Sequence, residues 1–191
     1  MAAEPDQPDQ PDPFDALGVP PSFRLTATQI ERAYLTRAAQ AHPDAHADAH
    51  TSADAAQAAS GMAHLNDARR RLRHAETRAR ALLHRHGLHD PADDALPDGF
   101  LMSMLETRME IEAAIAGGDE AERTRWAEWA ERRRAEHAER IAELFDDLDA
   151  GGDQDAIGAH IRVELNAWRY IERLIEQLDP AYDPDRADFG A

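Results

Sequence analysis

The chain contains no cysteine and no lysine. Without thiols it can form neither a disulfide nor a thiolate metal site, and it has no thiol nucleophile. All 21 cations are arginine, set against 38 carboxylates, for a formal net charge of −17. That balance argues against nucleic acid as a partner, because duplex binding draws most of its affinity from cations meeting phosphates. No apolar run approaches the roughly 18–20 residues that a membrane span needs. The first twelve residues, MAAEPDQPDQPD, carry neither the basic region nor the apolar stretch of a secretory signal. The expectation is a cytoplasmic protein that does not meet a membrane. Alternating apolar and polar runs are also missing, so the predicted fold class is all-α. Much of the 42% hydrophobic content is alanine, which favours two small helical units over one large core.

Charge and composition suggest where those units divide. Residues 1–12 repeat a Pro-Asp-Gln pattern and read as a disordered acidic tail. Residues 13–87 carry ten Arg against seven acids, whereas residues 88–191 carry eleven Arg against 27 acids. A polar, Pro-rich stretch within residues 88–99 reads as a linker between them. Residues 100–178 form the second helical domain, and residues 179–191 an acidic tail.

In the first unit, Asp12 can cap a short helix with Pro13 at its first position, and Gly18 can end it. Thr26 followed by Gln29 is a capping-box pattern. It opens a helix with Ile30, Ala33, Tyr34, Ala38 and Ala41 at helical spacing, stopped by Pro43. Thr51 or Ser52 starts the next helix, with Ala55, Ala59, Met62, Leu65 and Leu72 on its apolar face. A further helix carries Ala79, Leu82 and Leu83 and ends at Gly87. In the second unit, a helix from Phe100 stops at Gly117-Gly118. Asp119 caps a long helix that buries Ile141, Leu144, Phe145 and Leu148. Asp153 caps a last helix with Ile157, Ile161, Leu165, Trp168, Ile171, Ile175 and Leu178. Short glycine turns favour antiparallel neighbours, hence a three-helix bundle. Of Trp126 and Trp129, one is expected to be half exposed, since both cannot face a single narrow stripe.

His42-Pro43-Asp44 falls between two predicted antiparallel helices. Its context is DPFDALGV in the short helix, Ile30 and Tyr34 before it, and Leu65-Asn66-Asp67-Ala68 after it. This order resembles a J-domain, the module that stimulates ATP hydrolysis by 70-kDa heat-shock chaperones. Downstream, Leu72-Arg73-His74, Arg78-Ala79-Arg80-Ala81-Leu82-Leu83 and His86-Gly87 resemble the end of the J-domain in the HscB family. Phe100-Leu101-Met102 with Leu105-Glu106, and Arg169-Tyr170-Ile171-Glu172, are similar to parts of that family's C-terminal helical domain. The resemblance covers roughly residues 13–178. It implies an all-α co-chaperone, not an enzyme, with no cofactor of its own. Its implied partners are an HscA/DnaK-type chaperone and the iron–sulfur scaffold protein IscU, which it would deliver to that chaperone. Because the chain lacks Cys, any iron–sulfur cluster connected with it would be held elsewhere or by weaker, non-thiolate ligands.

The resemblance also implies site residues. His42, Pro43 and Asp44, with Arg32 and Arg37 on the preceding helix, would meet the chaperone. Pro43 would hold the tip, and Asp44 offers an acceptor-only carboxylate suited to a partner Arg. Leu101, Met102, Leu105, Glu106 and Tyr170 would meet the scaffold. Departures from the family pattern are Arg37 where Leu is usual, Ala41 for an aromatic residue, Ala45 for Lys, and Met109 and Ala113 for acids. These imply weaker electrostatic steering of the chaperone and a more apolar scaffold surface. Leu101, Met104, Leu105 and Ile111 share one helix that must also bury a face, so they cannot all be exposed.

Two rival readings remain open. One keeps the J-domain and gives the bundle a different client. The other is a metal-dependent hydrolase built on His42, His46 and His50. These recur every four residues, but Pro43 interrupts that spacing, no carboxylate completes a metal set, and no general base stands beside them.

Overall fold

The computed structural model describes residues 11–41, 52–88 and 95–178. Among them are seven helices and no strand: α1 (Pro13–Leu17), α2 (Ala27–Ala41), α3 (Ser52–Arg73), α4 (Ala75–Arg85), α5 (Phe100–Gly117), α6 (Glu120–Asp149) and α7 (Gln154–Leu178). They form two compact units, one running through Leu82 and the other starting at Leu83.

Local chemistry sets the helix ends. Asp12 Oδ1 accepts from the Phe14 amide at 2.8 Å, Pro13 occupies the first turn, and Gly18 closes α1 at φ +68°. Thr26 and Gln29 form the expected reciprocal box: Gln29 Oε1 accepts from the Thr26 amide at 2.9 Å, and Thr26 Oγ1 from the Gln29 amide at 3.2 Å. Asp119 and Asp153 cap α6 and α7 through their own carboxylates. Gly118, in the left-handed conformation, ends α5.

In the first unit, α1 and α2 both pack on α3. Phe14, Leu17, Phe23, Leu25, Ile30, Leu65 and Leu72 make its core. Two expected core positions on α3 differ: Ala59 is exposed and Met62 half-buried. Ala68 takes part instead, because the α2–α3 contact favours the row Leu65-Ala68-Leu72. Arg78 of α4 is fully buried. Its Nη1 donates to the Leu25 carbonyl at 3.0 Å and the Leu72 carbonyl at 2.9 Å, and its guanidinium lies 5.2 Å from the Phe23 ring centroid. Truncating this side chain strands two buried carbonyls and opens a cavity. Arg78→Ala is therefore expected to destabilise the first unit by about 3 kcal/mol, read as a lower urea midpoint at unchanged slope.

In the second unit, α6 and α7 pack along most of their length, and α5 lies against both. Ile141, Phe145 and Leu148 of α6 meet Ile161, Leu165, Trp168 and Ile171 of α7 in the core. Leu144 and Ile157 are half-buried at its edge. Met104 and Ile111 of α5 join Ala130, Ile171, Leu174, Ile175 and Leu178 in one apolar cluster. Both Trp126 and Trp129 are half-buried against it. Their rings meet edge to face at 5.5 Å, so each covers part of the other and neither is left out. Residues of the expected linker belong here too. Leu88 sits so close to Gly158 that a Cβ there would come within 2.9 Å of it, and Asn166 Nδ2 donates to the Ala95 carbonyl at 2.9 Å.

Candidate functional site

The α2–α3 hairpin is fastened by polar contacts. Tyr34 donates its hydroxyl proton to Asn66 Oδ1 at 2.8 Å. Arg69 stacks over the Tyr34 ring at 4.8 Å and pairs with Glu31 at 2.8 Å. An open groove beside these contacts is lined by Glu31, Arg32, Leu35, Arg69 and Arg73. Leu35 is 58% exposed there. The expected chaperone-facing cations part company. Arg32 lines the groove, whereas Arg37, five residues on and so about 140° round the helix, turns toward α1 with Nε 3.5 Å from the Leu17 carbonyl. Its guanidinium lies over Gly18, where a side chain would collide with it. The guanidinium thus answers the carbonyl end of that short helix, at a place where the resemblance implies Leu. His42, Pro43 and Asp44 lie outside the described residues, as do His46, His50 and Ala45. Among the described residues, no group of three or more His, Asp or Glu side chains could hold a metal ion.

The second candidate surface is on α5. Met104, Ile111 and Ala114 face the core. Leu101, Met102, Leu105 and Met109 are 60%, 68%, 54% and 64% exposed. They occupy the opposite side of the helix, spaced by four and seven residues, and make one apolar stripe. Helix α5 is thus apolar on two opposed faces. Charged flanks separate these faces: Arg108 pairs with Glu112 at 2.8 Å on one side, and Glu106 and Glu110 are exposed on the other. Monomers rarely leave so many large apolar side chains contiguous on the surface without a binding role. Tyr170 of α7 is half-buried at the stripe's edge, beside Arg108, with its ring edge-on to Phe100 at 5.5 Å. The structure therefore brings Leu101, Met102 and Leu105 together, with Glu106 and Tyr170 at the margins. Met109 completes the stripe.

Sequence periodicity missed what holds α5 in place. Phe100, its first residue, also meets the His137 ring edge-on at 6.3 Å. His137 of α6 is 8% exposed, and its Nδ1 lies 2.6 Å from Glu164 Oε2 of α7. Arg140 donates to the same carboxylate at 3.1 Å. Burial by itself would raise the Glu164 pKa, but the hydrogen bonds from His137 and Arg140 outweigh it and hold the group below its ordinary range. A depressed carboxylate stabilises the fold fully above its unfolded pKa, and that contribution is lost as pH falls through the folded value. Wild type should lose stability on acidification from about pH 5 to pH 3 more steeply than Glu164→Gln, as measured by urea unfolding at each pH. The only sequence signal for this cluster was a His on an otherwise apolar row beside Ile141.

No helix among the described residues is long and apolar enough to cross a membrane. The described helices define a J-domain-like helical hairpin and a three-helix bundle with an exposed apolar face, and the solved structures share this fold. The chain is similar to the chaperone HscB from Vibrio cholerae, with a TM-score of 0.72 and 21% identity over 89% of this chain and 96% of that one. It is also similar to the human co-chaperone protein HscB, with a TM-score of 0.69 and 20% identity over 94% and 84%. Residues 96–179 match the HSCB C-terminal oligomerisation domain. Co-chaperone protein HscB homologs of Bordetella pertussis and Burkholderia pseudomallei are 32% and 36% identical, over 89% and 86% of this chain and 95% and 90% of theirs. The chain belongs to the HscB co-chaperone family.

Proposed function

We propose that this co-chaperone stimulates the ATPase of an HscA/DnaK-type chaperone and brings an IscU-type iron–sulfur scaffold protein to it, from the cytoplasm, without performing bond-breaking chemistry itself. On this reading residues 13–87 are the J-domain, with His42, Pro43 and Asp44 at its tip and Arg32 beside the docking groove. Residues 100–178 are the scaffold-binding domain, presenting Leu101, Met102 and Leu105 with Glu106 and Tyr170 at the margin. The observation that carries the reading is the stripe of exposed Leu101, Met102, Leu105 and Met109 on a helix whose other face is buried, in a family member that also keeps His-Pro-Asp between its second and third helices.

The physical logic is a population shift. A protein that binds the hydrolysis-competent state of a chaperone better than its resting state raises the fraction in that state by its differential affinity. Holding the scaffold on a second surface converts the scaffold's meeting with the chaperone into an intramolecular event at raised effective concentration. The test is the steady-state ATPase rate of the chaperone with this chain alone, with scaffold alone and with both. Stimulation by the chain, and further stimulation when scaffold is added, is the expected result. A rate unchanged by the chain overturns the proposal. Stimulation without any scaffold effect assigns the bundle a different client.

A further inference from the structure

Helix α5 begins differently from its neighbours. Helices α1, α6 and α7 each start on an aspartate cap, and α2 on the Thr26–Gln29 box. Helix α5 follows Gly99, which sits at φ +75° and supplies no side-chain cap, and its first turn holds no carboxylate. The Phe100 amide donates to the Pro97 carbonyl at 3.0 Å, and the Ser103 amide to the Gly99 carbonyl at 3.2 Å. The two amides between them, those of Leu101 and Met102, find no acceptor among the described residues. A first turn without a cap is the part of a helix that frays most readily. Yet this turn carries the exposed Leu101 and Met102, whose side chains do nothing to hold it.

The side chain that does hold it is Phe100. Its half-buried ring packs against the apolar cluster of the bundle. It stands edge-on to Tyr170 of α7 at 5.5 Å and to His137 of α6 at 6.3 Å. The His137 ring is itself fixed, with Nδ1 2.6 Å from Glu164 of α7. Ser103 Oγ donates to the Phe100 carbonyl at 3.0 Å and closes the turn around it. One ring thus ties the start of α5 to both other helices of the bundle.

We infer that Phe100 is a positioning residue for scaffold docking: its ring, lodged against Tyr170 and His137, keeps the first turn of α5 helical, so that Leu101 and Met102 stand ready beside Leu105. The inference rests on the reading of α5 as the scaffold-binding helix. Phe100 acts through its neighbours and does not itself meet the scaffold. Without the ring the scaffold must order the turn as it binds, and the apparent affinity falls in proportion to the fraction of molecules in which the turn is already formed. Two of the three large apolar side chains offered to the scaffold hang on this turn. A frayed start therefore costs far more of the interface than of the fold.

The test uses the full chain and an IscU-type scaffold protein, with affinity measured by calorimetry. In the free chain, hydrogen exchange is followed at the amides of Ser103, Met104 and Leu105, whose helical bonds reach back to Gly99, Phe100 and Leu101. Phe100→Ala is expected to weaken binding about tenfold. Phe100→Leu, which keeps apolar bulk but not the ring, should weaken it about threefold, and it carries the test if Phe100→Ala does not fold. The three amides should exchange faster in the same order, while those in the middle of α6 and α7 exchange as in wild type. Leu178→Val removes a methylene from the same apolar cluster, eight residues and about 12 Å along α7 from Tyr170. It should lower the melting temperature yet leave scaffold affinity unchanged. Wild-type affinity in the Phe100 variants, with weakened binding by Leu101→Ala, overturns the inference and leaves the reading of α5 standing. Weaker binding with unchanged exchange at the first turn also overturns it, since the ring would then be touching the scaffold itself. So does an equal loss from Leu178→Val, which would trace the effect to the stability of the whole bundle. If Leu101→Ala also binds as wild type, the reading of α5 falls as well.

Discussion

His42→Gln is expected to abolish stimulation of the partner chaperone's ATPase, returning the rate to its basal value, with helical content and melting unchanged. The residue lies between α2, which ends at Ala41, and α3, which starts at Ser52. Neither helix needs it for its core, which is supplied by Ile30, Leu65, Ala68 and Leu72. Gln keeps a hydrogen-bonding amide but cannot become a cation or present an aromatic ring, so it tests the imidazole and not merely the side chain's bulk. Full loss at constant structure places the effect on the partner's catalytic state. Stimulation equal to wild type would remove the J-domain reading. Arg32→Ala should give a partial loss that shrinks with added salt, since one exposed guanidinium contributes chiefly to steering.

The second large effect concerns the scaffold. Changing Leu101, Met102 and Leu105 together to Ala should weaken scaffold binding by at least about 100-fold, because each truncation removes roughly 1–2 kcal/mol of apolar contact at the centre of an interface. These side chains are more than half exposed, so the free protein's stability should move by no more than about 0.5 kcal/mol. The pairing of large binding loss with unchanged stability is the signature sought. Unchanged affinity would remove the assignment of this face. Met104→Ala is the contrasting control. It faces the core at 5% exposure and should lower stability by about 2–3 kcal/mol.

What could be seen in the sequence and what could not follow from the range of each interaction. Asp12, Thr26 with Gln29, Asp119 and Asp153 announced their helices because a cap is decided within three or four residues. Gly18 and Gly118 announced the ends for the same reason. Helix α5 is different. Its two apolar rows, Leu101-Leu105-Met109 and Met104-Ile111-Ala114, are equally good candidates for burial by periodicity alone. Only the shapes of α6 and α7 decide between them. Where hydrophobic spacing is degenerate, the HscB resemblance singles out Leu101, Met102 and Leu105, and these are the side chains left exposed. Arg78 was unreadable in another way. Arginine is almost never fully buried, and nothing near it in sequence shows that the Leu25 and Leu72 carbonyls converge on one point. Arg37 showed a local oddity without its reason, which is the carbonyl end of α1 twenty residues earlier. A single narrow stripe has room for only one of Trp126 and Trp129, but two rings can share a site when each shields the other's edge.

The Arg78 guanidinium has a consequence for how the first unit comes apart. One planar group answers a carbonyl from the loop ahead of α2 and another from the end of α3. The loop therefore cannot open by itself. Releasing Leu25 leaves the same cation half-solvated beside Leu72, so the cheapest excursion frees both ends at once. Amides around Leu25 and around Leu72 should then exchange their hydrogens with a common free energy, as parts of a single opening event, instead of fraying separately. A helical hairpin tied in this way resists local unwinding at its base.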